Sequence, residues 1–169
     1  FSNASDKKEL KNLYIDSGYE GEITFLPMEW KKSKGAFDEV KACKYTVRAL
    51  NIVGQSQVPV FFHCTVGEDR TGVLAGLVRV TYDGWSIEKA FQKEMCERGY
   101  EGGNPRKFTD SFFVVQAVRE NLTPLYLKMA AQLQEGPMTE DDCENLPSLK
   151  KAHLSGDDFQ CSPVTDSEK

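Results

Sequence analysis

The sequence predicts an α/β fold, a mainly parallel sheet flanked by helices with a helical C-terminal half. Two observations lead there. A short β-branched and aromatic run, Val58-Pro59-Val60-Phe61-Phe62-His63, lies between two helix-period segments. After it, four apolar helical stretches follow with no further strand pattern.

Taken in order, residues 1–20 are polar and hold at most a short helix around Lys8–Ile15. Glu22–Met28 reads as a strand with Pro27 near its end. Phe37, Val40, Val47 and Leu50 fall close to the helical period, predicting a helix from Ala36 to about Ile52 that Gly54 stops. Val58–His63 reads as a buried strand with Pro59 at its beginning. A turn at Gly67 leads into a helix from about Arg70 to Val80, broken at Asp83-Gly84. Ser86 caps the next helix, which ends near Gly99. Thr109 caps another reaching Asn121, and Thr123-Pro124 opens the last, to Gln134. Two strands are too few for an independent sheet. The remaining strands are expected from the N-terminal residues or from a segment preceding Phe1.

The 169 residues carry a net charge of −5, with an apolar content suited to one globular domain. The excess is local. Eight acids against three lysines lie between Gly136 and Lys169, so residues 1–135 are neutral. The expected organisation is a functional domain over 1–135 and an acidic, loosely ordered tail over 136–169. No basic block suggests nucleic acid, and no apolar run is long enough to span a membrane. Oligomeric state is not legible.

The cysteines are Cys43, Cys64, Cys96, Cys143 and Cys161. None forms a C-x-x-C pair, which argues against zinc. An odd count leaves at least one thiol free. Cys143 and Cys161, both in the tail, either pair or stay reduced. Cys43 and Cys96 read as helix thiols, and Cys96 protects Cys64 as a disulfide only if the two are close enough. The compartment stays open between cytoplasm and a secreted or periplasmic location.

Chemistry concentrates in His63-Cys64-Thr65-Val66-Gly67-Glu68-Asp69-Arg70-Thr71-Gly72. Amides of such a loop form a nest for a tetrahedral anion, and the following helix adds its positive end. Both favour thiolate at Cys64, the nucleophilic form. Arg70 offers a planar fork for two oxygens of one phosphate. Thr65, Val66, Gly67, Glu68, Asp69 and Arg70 line the cradle. Thr71 is placed to assist sulfur as leaving group, and His63 to support the loop. Glu68 puts negative charge beside the site, which disfavours polyphosphorylated ligands.

His63–Gly72 resembles the H-C-x5-R-[ST]-G signature of the protein tyrosine phosphatase superfamily. Its Asp69-Arg70-Thr71-Gly72 ending is similar to a bacterial and lipid-phosphatase-like branch of the dual-specificity group. The resemblance spans Glu22 to about Gln134. It implies a phosphocysteine intermediate, no metal or other cofactor, and a phosphorylated protein or small phosphomonoester as substrate. Phosphotyrosine, alone or with phosphoserine and phosphothreonine, is the leading substrate. The alternatives are a phosphoinositide or inositol-phosphate phosphatase, and a phosphate-binding module without turnover. The family's general acid is an Asp on a loop about 30 residues before the nucleophile. No Asp occupies the early part of that loop here, so Glu29 is the first candidate, Asp38 the second and Asp69 the third. Asn104-Pro105-Arg106 and Lys107 lie where the family has a second active-site loop, with Arg106 either a substrate contact or a surface charge.

Overall fold

The computed structural model describes residues 18, 24–26, 28, 37–102 and 111–161. The fold is helical. α1 spans Glu39–Gln55, α2 Asp69–Asp83, α3 Ile87–Ala90, α4 Ser111–Ala117 and α5 Thr123–Glu135. α3 continues through a π turn, Phe91–Met95, and a 3-10 turn, Cys96–Arg98. A second π turn, Val118–Leu122, joins α4 to α5.

No β-strand forms among the described residues, which corrects the expected parallel sheet. Residues 58–63 are irregular rather than helical, and no ladder partner adjoins them among the described residues. Nor is the run buried. Val58 is 71% exposed and Phe61 80%. The expected first strand is described only at 24–26 and 28, and none of these is in a strand. β-propensity reports a fit to a pleated surface, and without a hydrogen-bonded neighbour it makes no sheet.

The helices follow from capping and periodicity. Asp38 caps α1, its Oδ1 accepting from Lys41 N at 2.9 Å. Ala42, Cys43, Thr46, Val47, Ala49 and Leu50 form its buried stripe. Gly54 does not stop the helix. It lies one residue inside, where the Tyr82 ring crosses to donate its hydroxyl to Leu50 O. α2 is the central element. Val73, Leu74 and Leu77 are almost fully buried, and it packs against α1, α5 and the extension of α3. Ser86 caps α3 through Lys89 N.

Close packing around α2 needs its glycines. A Cβ at Gly76 would stand 2.9 Å from Tyr126 Cε2 and 3.2 Å from Met95 Sδ. Tyr126 is fully buried and its hydroxyl is bonded to Ile87 O. Gly76→Ala should therefore destabilise the fold by about 1–2 kcal/mol, overpacking exceeding the gain in helix propensity. A lower denaturant midpoint at unchanged slope checks this.

The segment from Gly136, which composition reads as loosely ordered, is packed onto the body as far as Cys161. Met138, Cys143 and Phe159 join the core. Two disulfides fasten it, Cys43–Cys143 and Cys96–Cys161, with Cα separations of 5.7 and 5.2 Å. Closing loops of 100 and 65 residues, they contribute about 4–5 kcal/mol each in the chain-entropy account. Acidic excess also meets basic α1, through Lys44–Glu144 and a two-pronged Arg48–Glu140 pair. These pairs are exposed and add little. The expected alternatives at the tail, a Cys143–Cys161 bridge or two free thiols, both give way to pairing with the body.

Candidate active site

Cys64 lies at the start of a tight loop between the irregular 58–63 run and α2. It is the free cysteine among the described residues, and it is 6% exposed. Gly67 holds φ at +90°, a left-handed conformation that a side chain would strain. That turn aims Gly67 N–H back at Cys64 Sγ, at 3.3 Å. The carbonyl of Cys64 lies 3.1 Å from His63 Nδ1, and since a carbonyl only accepts, Nδ1 is the donor. His63 is thus hydrogen-bonded to the backbone of the loop.

Arg70, in the first turn of α2, is 6% exposed. Nη1 donates to Met28 O at 3.3 Å and Nη2 to Thr65 Oγ1 at 3.0 Å. The guanidinium is therefore held in one plane by two separate segments. Met28 is itself buried, and its sulfur accepts from Thr46 Oγ1 on α1. Sequence reasoning missed Met28. Its only signal was its place at the end of an apolar run.

Burial raises the pKa of the Cys64 thiol. The Thr71 hydroxyl, the Arg70 charge and the amides of Thr71 and Gly67 together outweigh burial, and the net shift is downward from the ordinary thiol value. Thr71 Oγ1 is buried and makes no hydrogen bond of ordinary geometry among the described residues. Thr65, Val66 and Gly67 are exposed along the outer loop.

Glu68 does not stand free beside the loop. Its side chain lies over the turn at 99–102, with Cδ 3.1 Å from where a Cβ on Gly99 would be. Burial, and then the neighbouring Asp69, raise its pKa. Asp69 is buried and its Oδ1 accepts from Glu101 N at 3.2 Å. Asp38 is exposed and occupied in capping α1. Neither Asp38 nor Asp69 is thus left unengaged. Glu29, Arg106 and Lys107 lie outside the described residues.

Cys96 is bonded to Cys161 and is no partner for Cys64. No group of three or more metal-binding side chains occurs among the described residues. No helix among them is long and apolar enough to cross a membrane. A shallow groove on α1, lined by Asp38, Lys41, Tyr45 and Arg48 among others, contains none of the cysteine-loop residues.

Residues 28–82, from the buried Met28 to the last turn of α2, match a family model described as the tyrosine phosphatase family. No curated protein and no solved structure gives a significant match.

Proposed function

We propose that this chain, whose residues 28–82 match the tyrosine phosphatase family model, is a phosphatase that hydrolyses phosphomonoesters through a phosphocysteine on Cys64. One observation carries the reading. The single unpaired thiol among the described residues is held toward thiolate by a loop amide, a threonine hydroxyl and an arginine whose plane is fixed.

In the first step Cys64 Sγ bonds to phosphorus as the ester P–O bond breaks. The leaving oxygen takes a proton from a carboxylic acid. Arg70 and the loop amides stabilise the equatorial oxygens, where charge gathers. In the second step water attacks phosphorus and gives its proton to the same carboxylate. The S–P bond breaks, Thr71 Oγ1 donates to the departing sulfur, and phosphate leaves with Cys64 again a thiolate.

Glu29 is the acid in this scheme. It directly follows Met28, whose carbonyl touches Arg70, while Asp38 and Asp69 are engaged elsewhere. Glu29→Gln should flatten the basic limb of the pH–rate profile, because that limb records loss of the acid's proton as pH rises. Turnover of esters with poor leaving groups should fall about 10²-fold, and p-nitrophenyl phosphate much less. An unchanged profile removes Glu29 from the scheme.

Asp69-Arg70-Thr71-Gly72 supports a dual-specificity-like enzyme, with phosphotyrosine or mixed phosphoprotein substrates. Two disulfides support an oxidising compartment. The test is hydrolysis of p-nitrophenyl phosphate and a phosphotyrosine peptide in chelator, with acid quenching to trap phosphate on the Cys64 peptide. Hydrolysis with labelled Cys64 is expected. Phosphate binding without hydrolysis would leave a recognition module instead. Faster turnover of inositol-lipid headgroups would move the substrate class.

A further inference from the structure

The phosphate loop rests on a turn that the proposed chemistry does not use. Glu68 lies over Gly99 and Gly102, and Asp69 accepts from Glu101 N. Both residues immediately precede Arg70. The fit of the 99–102 turn therefore bears directly on where Arg70 and the loop amides point.

The turn is strained and tied from several sides. Glu101 adopts φ +64°, uncommon for a side chain other than glycine. Its carboxylate is 3% exposed. Oε2 accepts from Arg119 Nε at 3.0 Å, from Arg119 Nη2 at 2.9 Å and from Cys161 N at 3.3 Å. Oε1 is buried with no hydrogen bond among the described residues. Tyr100 beside it is buried, its hydroxyl 3.0 Å from Thr123 Oγ1. Cys96, three residues before Gly99, is bonded to Cys161. The disulfide thus fixes the residue whose N–H meets Glu101, and also the entry to the turn. A strained residue with a buried charge persists only where its surroundings over-determine it.

We propose that Glu101 is a positioning residue, which with the Cys96–Cys161 disulfide holds the phosphate loop in its working geometry through Asp69 and Glu68. Cys43–Cys143, which joins α1 rather than the 99–102 turn to the segment after Gly136, is the contrast and is expected to act mainly on stability. The inference rests on the phosphatase reading but is readable apart from it, because alkylation of Cys64 reports loop geometry without turnover.

The experiment uses the full chain with both disulfides formed. Glu101→Gly removes the carboxylate and relieves the backbone strain, so a loss cannot come from that strain. Its kcat should fall about tenfold, with KM for p-nitrophenyl phosphate nearly constant. The pH midpoint of Cys64 alkylation by iodoacetamide should move upward. Glu101→Gln keeps an acceptor for Arg119 and Cys161 N and should restore most of both. Cys96→Ala/Cys161→Ala should act like Glu101→Gly, whereas Cys43→Ala/Cys143→Ala should lower only thermal stability. Wild-type kcat and alkylation profile in both Glu101→Gly and Cys96→Ala/Cys161→Ala, each folded by circular dichroism, would overturn the proposal. So would equal effects of the two disulfide deletions. If wild type does not turn over p-nitrophenyl phosphate, the phosphatase reading fails, and the alkylation profiles alone decide this one.

Discussion

Cys64→Ser should eliminate turnover of p-nitrophenyl phosphate, with a loss on the order of 10⁴–10⁶-fold typical of a deleted nucleophile. Serine keeps the shape of the side chain, but its hydroxyl does not ionise in the range where this thiol does. The Gly67 amide, the Thr71 hydroxyl and the Arg70 charge lower a thiol below its ordinary value. They cannot bring an alcohol into range. Since they are also the proposed anion cradle, Cys64→Ser should still bind inorganic phosphate. Retained binding with lost turnover, read by calorimetry and rate on one preparation, separates nucleophile loss from unfolding. Wild-type protein should also take up a single equivalent of iodoacetamide, because the four other cysteines are paired. Substantial turnover by Cys64→Ser would reject the covalent mechanism.

Arg70→Lys should cost about 10²–10³-fold in kcat, the scale seen when one preorganised donor to transition-state charge is removed. The charge is preserved, so the argument turns on geometry. Arg70 bonds Met28 O and Thr65 Oγ1 at once, which fixes its plane before substrate arrives. A lysine ammonium has no plane to fix and cannot grip two phosphate oxygens as a fork. Arg70→Met provides the contrast. It should lose the rate and also raise the thiol's pKa, because the positive charge of Arg70 helps to lower it. The sign follows directly. With the positive charge gone, thiolate is less favoured and the acidic limb of kcat/KM moves to higher pH. Arg70→Lys should leave that limb nearly in place. A limb unmoved in Arg70→Met would show that the amides and Thr71 set the thiol without help from Arg70.

The helices and the cysteine loop were legible because their signals are local. Ser86 caps α3 through a contact three residues away. Gly67 turns the loop through its own backbone. The sheet was misread because a strand is a relation between segments, and Val58–His63 carries the propensity without a paired neighbour among the described residues. The tail was misread for a related reason. Acidic, Pro- and Ser-containing composition suggests disorder, yet order there comes from Cys43 and Cys96, lying 100 and 65 residues before their partners. Glu101 was invisible. Nothing in Gly99-Tyr100-Glu101-Gly102 announces a buried carboxylate, and its importance lies in contacts with Asp69, Arg119 and Cys161.

The disulfide pattern sets a problem in time for the nascent chain. Five cysteines can form two bridges in fifteen ways, and one of them is native. Cys43, Cys64 and Cys96 precede both of the cysteines that close the native bridges. During synthesis the reactive thiol therefore emerges beside two unpaired cysteines, while their proper partners are still to come. An early Cys43–Cys64 or Cys64–Cys96 bond would block the thiol and strand a later cysteine. Burial of Cys64 in the helical body ahead of oxidation, or an isomerase that reopens wrong bonds, would keep that thiol out of such a bond.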